Sequence, residues 1–302
     1  MIITEDRLGR ASGMKFMTEK SSNCDSCALK GSCKDEKDAM DGKECDHKVD
    51  RMSRIKHKII IASGKGGVGK STVTVNLARA LQIKGLKVGV LDADITGPDI
   101  PKLLGIEDAR LIQGPDGIKP PHAEGIKAAS MAFVLSSRDS PVVWRGPMKM
   151  AAIKQFIQDV DWGDLDFLLI DLPPGTSDEP LSVVQLIPEL AGAIIVTTPQ
   201  EVALLDSRKA VNMVRAMKLP VLGIVENMSG LVCPHCGQGI SIFGAGGGKR
   251  MAEEMDVTFL GAIPMDPSVC ALGDSGKTFV QSGADAAGSF NQIVERLLEI
   301  FR

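Results

Sequence analysis

The chain has 302 residues, 35 Lys and Arg against 38 Asp and Glu, a formal charge of -3 and 44% hydrophobic residues; it can bury a full core and is too apolar for wholesale disorder. A balance so near neutral leaves no global footprint for wrapping a phosphate backbone, so nucleic acid is not an expected partner. No apolar run reaches the ~18 residues of a membrane span, and the opening MIITEDRLGR lacks the basic start and apolar core of a secretory signal, so the expectation is a cytoplasmic chain with no membrane partner.

In chain order, the first feature is a cysteine group, CDSCALKGSC followed by a fourth thiol: Cys24, Cys27, Cys33 and Cys45. The surrounding residues are charged and small, with little to pack, so bound metal would have to supply the ordering energy. Four thiolates suit a tetrahedral zinc or a [4Fe-4S] cluster, and the spacing alone does not choose between them, with His47 a further zinc ligand on offer. Residues 1–46 are therefore read as a cysteine-rich extension, and the basic stretch over 47–57 as a solvated linker.

The main body is expected over 58–302. Lys58 to Ser63 reads KIIIAS, an apolar β-branched run that leads into GKGGVGKST and then the helical pattern VTVNLARALQIKG. Strand, glycine loop and helix in that order make Gly64, Lys65, Gly66, Gly67, Val68, Gly69, Lys70 and Ser71 a phosphate-binding loop. Its backbone N–H groups close round phosphates, Lys70 reaches their oxygens, Ser71 offers a hydroxyl to Mg²⁺, and Thr72 follows at the helix start. Lys65 is a second lysine in the loop, either a solvated surface charge or a group that stabilises charge on the γ-phosphoryl.

Two more apolar runs end in carboxylates. Val88 to Leu91 precede Asp92 and Asp94, and Phe167 to Ile170 precede Asp171 in DFLLIDLPPGTSDE. An acidic residue at the carboxyl end of a core strand beside such a loop is where Mg²⁺ or its water shell is held, although strand-end Asp residues also cap helices. Between these runs, Leu111 to Lys119 contains GPDG and reads as a small hairpin insertion.

Further strands are predicted over Ala191–Pro199, Pro220–Met228 and Val257–Pro264, with helices over Val202–Met217 and at the C-terminus through Phe290, Ile293, Val294, Leu297, Leu298 and Phe301. Throughout-apolar strands alternating with helices predict a doubly wound, mostly parallel α/β sheet of P-loop NTPase type, with helices on both faces. After the Pro220 strand comes CPHC, Cys233 and Cys236, beside a glycine-rich loop. Two thiols are half of a cluster or closed zinc site, and a two-fold homodimer would complete it; a redox dithiol is the other reading. Cys270 reads as a small buried hydrophobe.

GKGGVGKST with its early lysine resembles the deviant phosphate loop of the SIMIBI class, and DADITGPDIP, WRGPM, DLPPGTSDE, VENMSG with CPHCG, and FGAGGG make the chain similar to the Mrp/Nbp35/ApbC family of iron-sulfur cluster carriers. The resemblance implies a slow ATPase that uses ATP and Mg²⁺, assembles a labile [4Fe-4S] cluster between Cys233 and Cys236 of two chains, and delivers it to apo-proteins. It also implies that Lys65 acts across the dimer interface, that Asp94 lies near the attacking water and Asp171 near Mg²⁺, and that Asn227, with Pro264 and Asp266, lines the adenine. The extension is similar to the Nbp35 branch, which carries its own [4Fe-4S] cluster; Arg10 stands where that branch has an upstream cysteine, and Cys45 is the expected replacement. A nucleotide-dependent positioning switch of the MinD/ParA type is the competing reading, and an ATP-driven reductase the third.

Overall fold

The computed structural model describes residues 50–302 apart from 116, 136–145, 234 and 283–284. The cysteine-rich extension, with Cys24, Cys27, Cys33 and Cys45, lies outside the described residues.

Strand β1 (Ile55–Ala62), helix α1 (Lys70–Ile83) and β2 (Val88–Asp92) open the fold, followed by a short α2 (Ile100–Leu103), β3 (Ile112–Gly114), β4 (Gly117–Lys119), β5 (His122–Ala123) and β6 (Ile126–Ala129). Next come α3 (Gly146–Asp159), β7 (Leu165–Asp171), α4 (Asp178–Leu186), β8 (Gly192–Thr197), α5 (Glu201–Ala216) and β9 (Val221–Glu226). The remainder is β10 (Leu231–Val232), β11 (Gly239–Ile240), α6 (Gly247–Glu254), β12 (Phe259–Ala262), α7 (Pro267–Asp274) and α8 (Asp285–Ile300). Eight strands pair in the order β12-β9-β8-β1-β7-β2-β6-β5. Every pairing is parallel except β5 with β6.

Alternate residues of each central strand feed opposite faces, as the pleat requires. On β1, Ile59 and Ile61 join Leu77, Leu81, Phe290, Ile293 and Leu297 of α1 and α8. Ile60 and Ala62 face the other way, onto Phe156, Val183, Val211 and Met251 of α3, α4, α5 and α6. This is the doubly wound parallel sheet expected from strands apolar along their whole length. The antiparallel β3–β4 pair is the predicted hairpin insertion.

Two expectations need correction. The stretch 47–57, read as a solvated linker, is folded from Arg51, where a single 3-10 turn capped by Asp50 leads directly into β1 at Ile55. Its charges belong to the amino edge of the sheet: Arg54 pairs with Asp164 at 2.9 Å and Lys56 with Asp166 at 2.6 Å, while Met52 and Ile55 are buried. Lys58 is also buried, its ammonium held by the Met52 carbonyl and Glu189. Cys270 is exposed rather than buried, because α7 is a short surface helix with no buried residue.

Candidate functional site

The loop from Gly64 to Gly69 leaves the central strand β1 and enters α1, at the carboxyl end of the sheet where open parallel sheets hold ligands. Gly69 precedes α1 in the left-handed region, φ 82°, and α1 has no side-chain cap. Its first N–H groups and the positive end of its dipole are thus left to an anion, which is the property a phosphate site needs. Two loop glycines are required by close approach. A Cβ on Gly64 would lie 2.2 Å from the backbone of Asp206 in α5, and one on Gly69 would lie 2.2 Å from the Asn227 amide nitrogen.

Asp171 ends β7 next to this loop and organises it. One of its oxygens accepts from Lys70 Nζ at 2.7 Å and from Ser71 Oγ at 2.7 Å, and the other accepts from Thr74 Oγ1 at 2.7 Å. Lys70 and Asp171 are both buried, 6% and 1% exposed, which makes theirs a desolvated ion pair rather than a surface contact. Lys70, Ser71 and Thr74 share one face of α1 by helical spacing, so Thr74 belongs to the site although the motif does not include it. The pairing of a hydroxyl and a carboxylate, oxygen donors in contact, fits a hard cation such as Mg²⁺. The loop behind Asp171 is tied to the phosphate loop by the Gly175 N–H donating to the Ser63 carbonyl at 3.0 Å.

Asp92 and Asp94 separate by environment. Asp92 is buried, 1% exposed, and accepts from Ser130 Oγ at 2.8 Å and the Asp94 N–H at 3.2 Å. Burial, with the charge of neighbouring Asp171 behind it, holds its carboxyl well above the usual carboxylate range. Asp94 is only part-buried; burial raises its pKa too, while the Gly97 N–H donating to it at 3.2 Å works in the opposite sense. Lys65 is part-buried at the loop's rim, and among the described residues no carboxylate pairs with it. Lys149, reaching in from α3, donates to Thr96 in the loop after Asp94 at 3.1 Å and to Glu179 of α4 at 2.7 Å, joining the two loops that flank the site.

Asn227 follows β9 and donates its amide to the Val68 carbonyl at 2.9 Å, so it grips the phosphate loop directly. Pro264 is part-buried in the segment after β12, and Asp266 caps α7, accepting from the Ser268 N–H at 2.9 Å and its hydroxyl at 2.6 Å. Cys233 and Cys236 sit at the turn of the β10–β11 hairpin, where the Cys233 N–H donates to the Gln238 carbonyl and the Gly237 N–H to the Cys233 carbonyl, both at 2.9 Å. Cys236 is exposed and Cys233 part-exposed. Hydrogen bonds to the Cys233 sulfur, first from the Cys236 backbone N–H and then from that of His235, hold its pKa below that of an ordinary thiol. That environment favours a thiolate, the form that ligates soft metals. Among the described residues no group of three or more His, Cys, Asp or Glu converges as a metal site, so among them the pair remains two ligands.

Comparison with known proteins bears on the family and the fold. Residues 54–298 match the ParA-type profile described as the NUBPL iron-transfer P-loop NTPase. The chain belongs to this iron-transfer NTPase family. It is 51% identical over 285 residues to an iron-sulfur cluster carrier protein of Methanocaldococcus jannaschii, covering 94% of this chain and 98% of that one. It is 46% identical over 259 residues to the cytosolic Fe-S cluster assembly factor CFD1 of Saccharomyces cerevisiae, covering 82% and 88%. Among solved structures, a nucleotide-binding protein of Archaeoglobus fulgidus in complex with ADP superposes with a TM-score of 0.68 at 42% identity, covering 76% of this chain and 89% of that one. The septum site-determining protein MinD of Pyrococcus horikoshii complexed with Mg-ADP superposes at 0.60 with 26% identity, covering 82% and 97%. Membership in the family, a P-loop NTPase fold and a relation to iron-sulfur carriers are therefore established for this chain.

The sequence missed Glu226, Ser130, Thr74 and Lys149. For Thr74 the helical spacing from Lys70 was a usable signal, and Glu226 lies inside the quoted VENMSG; Ser130 and Lys149 act through partners distant in sequence.

Proposed function

We propose that the protein binds and hydrolyses ATP and carries a labile [4Fe-4S] cluster, its cargo, to apo-proteins in the cytoplasm. The observation that carries this reading is the coexistence in one fold of an uncapped phosphate loop centred on Lys70 and Asp171 with a solvent-accessible cysteine pair on a separate hairpin, where hydrogen bonds to the Cys233 sulfur favour its thiolate. Two thiolates per chain call for a second copy to complete a four-thiolate site, and apolar side chains left exposed on the hairpin, Val232, Ile240 and Ile242, suit a contact between two such hairpins. The homodimer is part of the proposal.

On binding ATP, Lys70 exchanges its Asp171 partner for phosphate oxygen, and the loop N–H groups and the amino end of α1 hold the remaining phosphate charge. Ser71 and Asp171 would hold Mg²⁺, which when bound screens phosphate charge. Asp94, whose pKa burial raises, is the group placed to accept a proton from the attacking water, and Lys65 of the second copy supplies a positive charge to the γ-phosphoryl. Asn227, Pro264 and Asp266 are assigned to the adenine side. Cys24, Cys27, Cys33 and Cys45 are assigned to a second [4Fe-4S] cluster.

Anaerobically reconstituted protein is expected to hold about six iron and six sulfide per chain, a full extension cluster plus half of a shared one. The Cys233→Ala/Cys236→Ala variant should fall to about four of each while still binding ATP. Zinc without sulfide, unchanged in the double variant, would contradict the carrier reading and favour a nucleotide-dependent positioning switch. No helix among the described residues is long and apolar enough to cross a membrane.

A further inference from the structure

Glu226 is fully buried at the end of β9, and neither nucleotide binding nor cargo binding uses it. Its carboxylate nonetheless accepts three hydrogen bonds. One oxygen accepts from Ser229 Oγ at 2.5 Å and from the Gly246 N–H at 2.8 Å, and the other accepts from the Gly248 N–H. Ser229 and Gly246 are the two feet of the segment that carries Cys233 and Cys236, so one carboxylate clasps both ends of that excursion.

The hairpin itself cannot hold its own orientation. Each of its strands has two residues, and the two register pairs Leu231↔Ile240 and Val232↔Gly239 are too few for independent stability. What fixes it is its feet. The first foot is also laddered onto the segment after β12, through Ser229 N–H to the Ile263 carbonyl at 2.9 Å, Met265 N–H to the Gly230 carbonyl at 2.7 Å, and the bridge between Leu231 and Met265. That segment runs on to Pro264 and Asp266. The residue after Glu226, Asn227, donates to Val68 of the phosphate loop. Met228 then bends the chain with φ 58°, a left-handed backbone that a methionine adopts only under constraint.

We propose that Glu226 is a positioning residue that couples the state of the phosphate loop to the cysteine pair. Asn227 follows the Val68 carbonyl, and its neighbour Glu226 holds both feet of the cysteine segment, so a shift of the loop on nucleotide binding is delivered to the hairpin as a unit instead of being absorbed in it. This deepens the proposed function by naming the connection between its two sites, and rests on Gly64 to Ser71 binding nucleotide. The bland role for Glu226 is a cap on α6, whose amino end it also meets; a cap alone would affect stability without altering what nucleotide does to the cysteines.

The test uses the full, cluster-free chain and measures the alkylation rates of Cys233 and Cys236 by iodoacetamide, peptide by peptide, with and without Mg-ADP, together with ADP affinity. In the unmodified protein ADP is expected to change the rate at the pair by about fivefold or more. In Glu226→Gln, ADP affinity should stay within about twofold while the nucleotide effect falls below about twofold. Retention of the full effect in Glu226→Gln, or its absence from the unmodified protein, would overturn the proposal. A cooperative urea transition matching that of the unmodified protein reports intact folding; if Glu226→Gln fails that control, Ser229→Ala removes one donor only and is expected to lower the effect from about fivefold to about threefold, with no weakening counting against the coupling. Because the chain is cluster-free, the outcome is independent of the iron and sulfide count: a pair that binds no cluster yet responds to ADP would sink the carrier reading and leave this coupling standing.

Discussion

Replacing Asp171 by Asn should weaken the nucleotide-free protein and strengthen its grip on ADP. The carboxylate accepts three hydrogen bonds and neutralises Lys70, whose ammonium is 6% exposed. Removing one partner of a buried pair costs about 3–5 kcal/mol, and an amide that keeps one acceptor oxygen brings the loss below that range, to about 2–3 kcal/mol. In a domain of this size that lowers Tm by roughly 4–12 °C. Phosphate supplies the missing negative charge, and in the variant Lys70 no longer has to leave Asp171 to reach it. ADP affinity measured in EDTA, where Ser71 and Asp171 have no cation to hold, should therefore rise about tenfold, which corresponds to about 1.4 kcal/mol. Urea titrations of both proteins with and without ADP in EDTA provide both quantities. Equal midpoints without ADP, or weaker ADP binding in the variant, would show that Lys70 does not exchange between carboxylate and phosphate.

Asp92→Asn should raise stability at neutral pH in EDTA. The native carboxyl titrates above its unfolded value, so the native protein binds the extra proton, and the destabilisation is present above the native pKa and disappears as pH falls through it; a gain that stays constant down to pH ~4 would oppose the assignment of that shift to Asp92. Lys149→Met cuts the link between the loop bearing Asp94 and the start of α4, and is expected to cost about 1 kcal/mol in urea unfolding and to lower the ATPase kcat with little change in KM; an effect on KM alone would place Lys149 outside the catalytic step. Iodoacetamide should modify Cys233 at a pH where a free small-molecule thiol such as N-acetylcysteine has already become unreactive, because hydrogen bonds to the Cys233 sulfur favour the thiolate; matching pH profiles would remove that basis for metal ligation.

The phosphate loop was legible because strand, glycines and helix are contiguous, and each residue type answers a need of the anion beside it. Asp171 was legible one step less directly, as a charge ending an apolar strand, and the parallel sheet from strands apolar on both faces. Partners brought together from afar were not. Glu226 looks like any strand-end glutamate until Ser229, Gly246 and Gly248 close on it, and Lys149 like any helical lysine until Thr96 and Glu179 are in place. The start of β1 was hidden because Arg54 and Lys56 read as linker charge, while their partners Asp164 and Asp166 lie 110 residues away. Cys270 was misplaced because its apolar neighbours suggest a core, whereas α7 rides on the surface.

The carrier claim is tested most directly by transfer. Reconstituted protein is mixed with an apo-enzyme that needs a [4Fe-4S] cluster, under anaerobic conditions and with a chelator that traps free iron, and the recovered enzyme activity is followed in time. The account predicts activation that resists the chelator and is lost in the Cys233→Ala/Cys236→Ala variant even though that variant binds ATP. Activation that the chelator abolishes, or that survives loss of both cysteines, would contradict it.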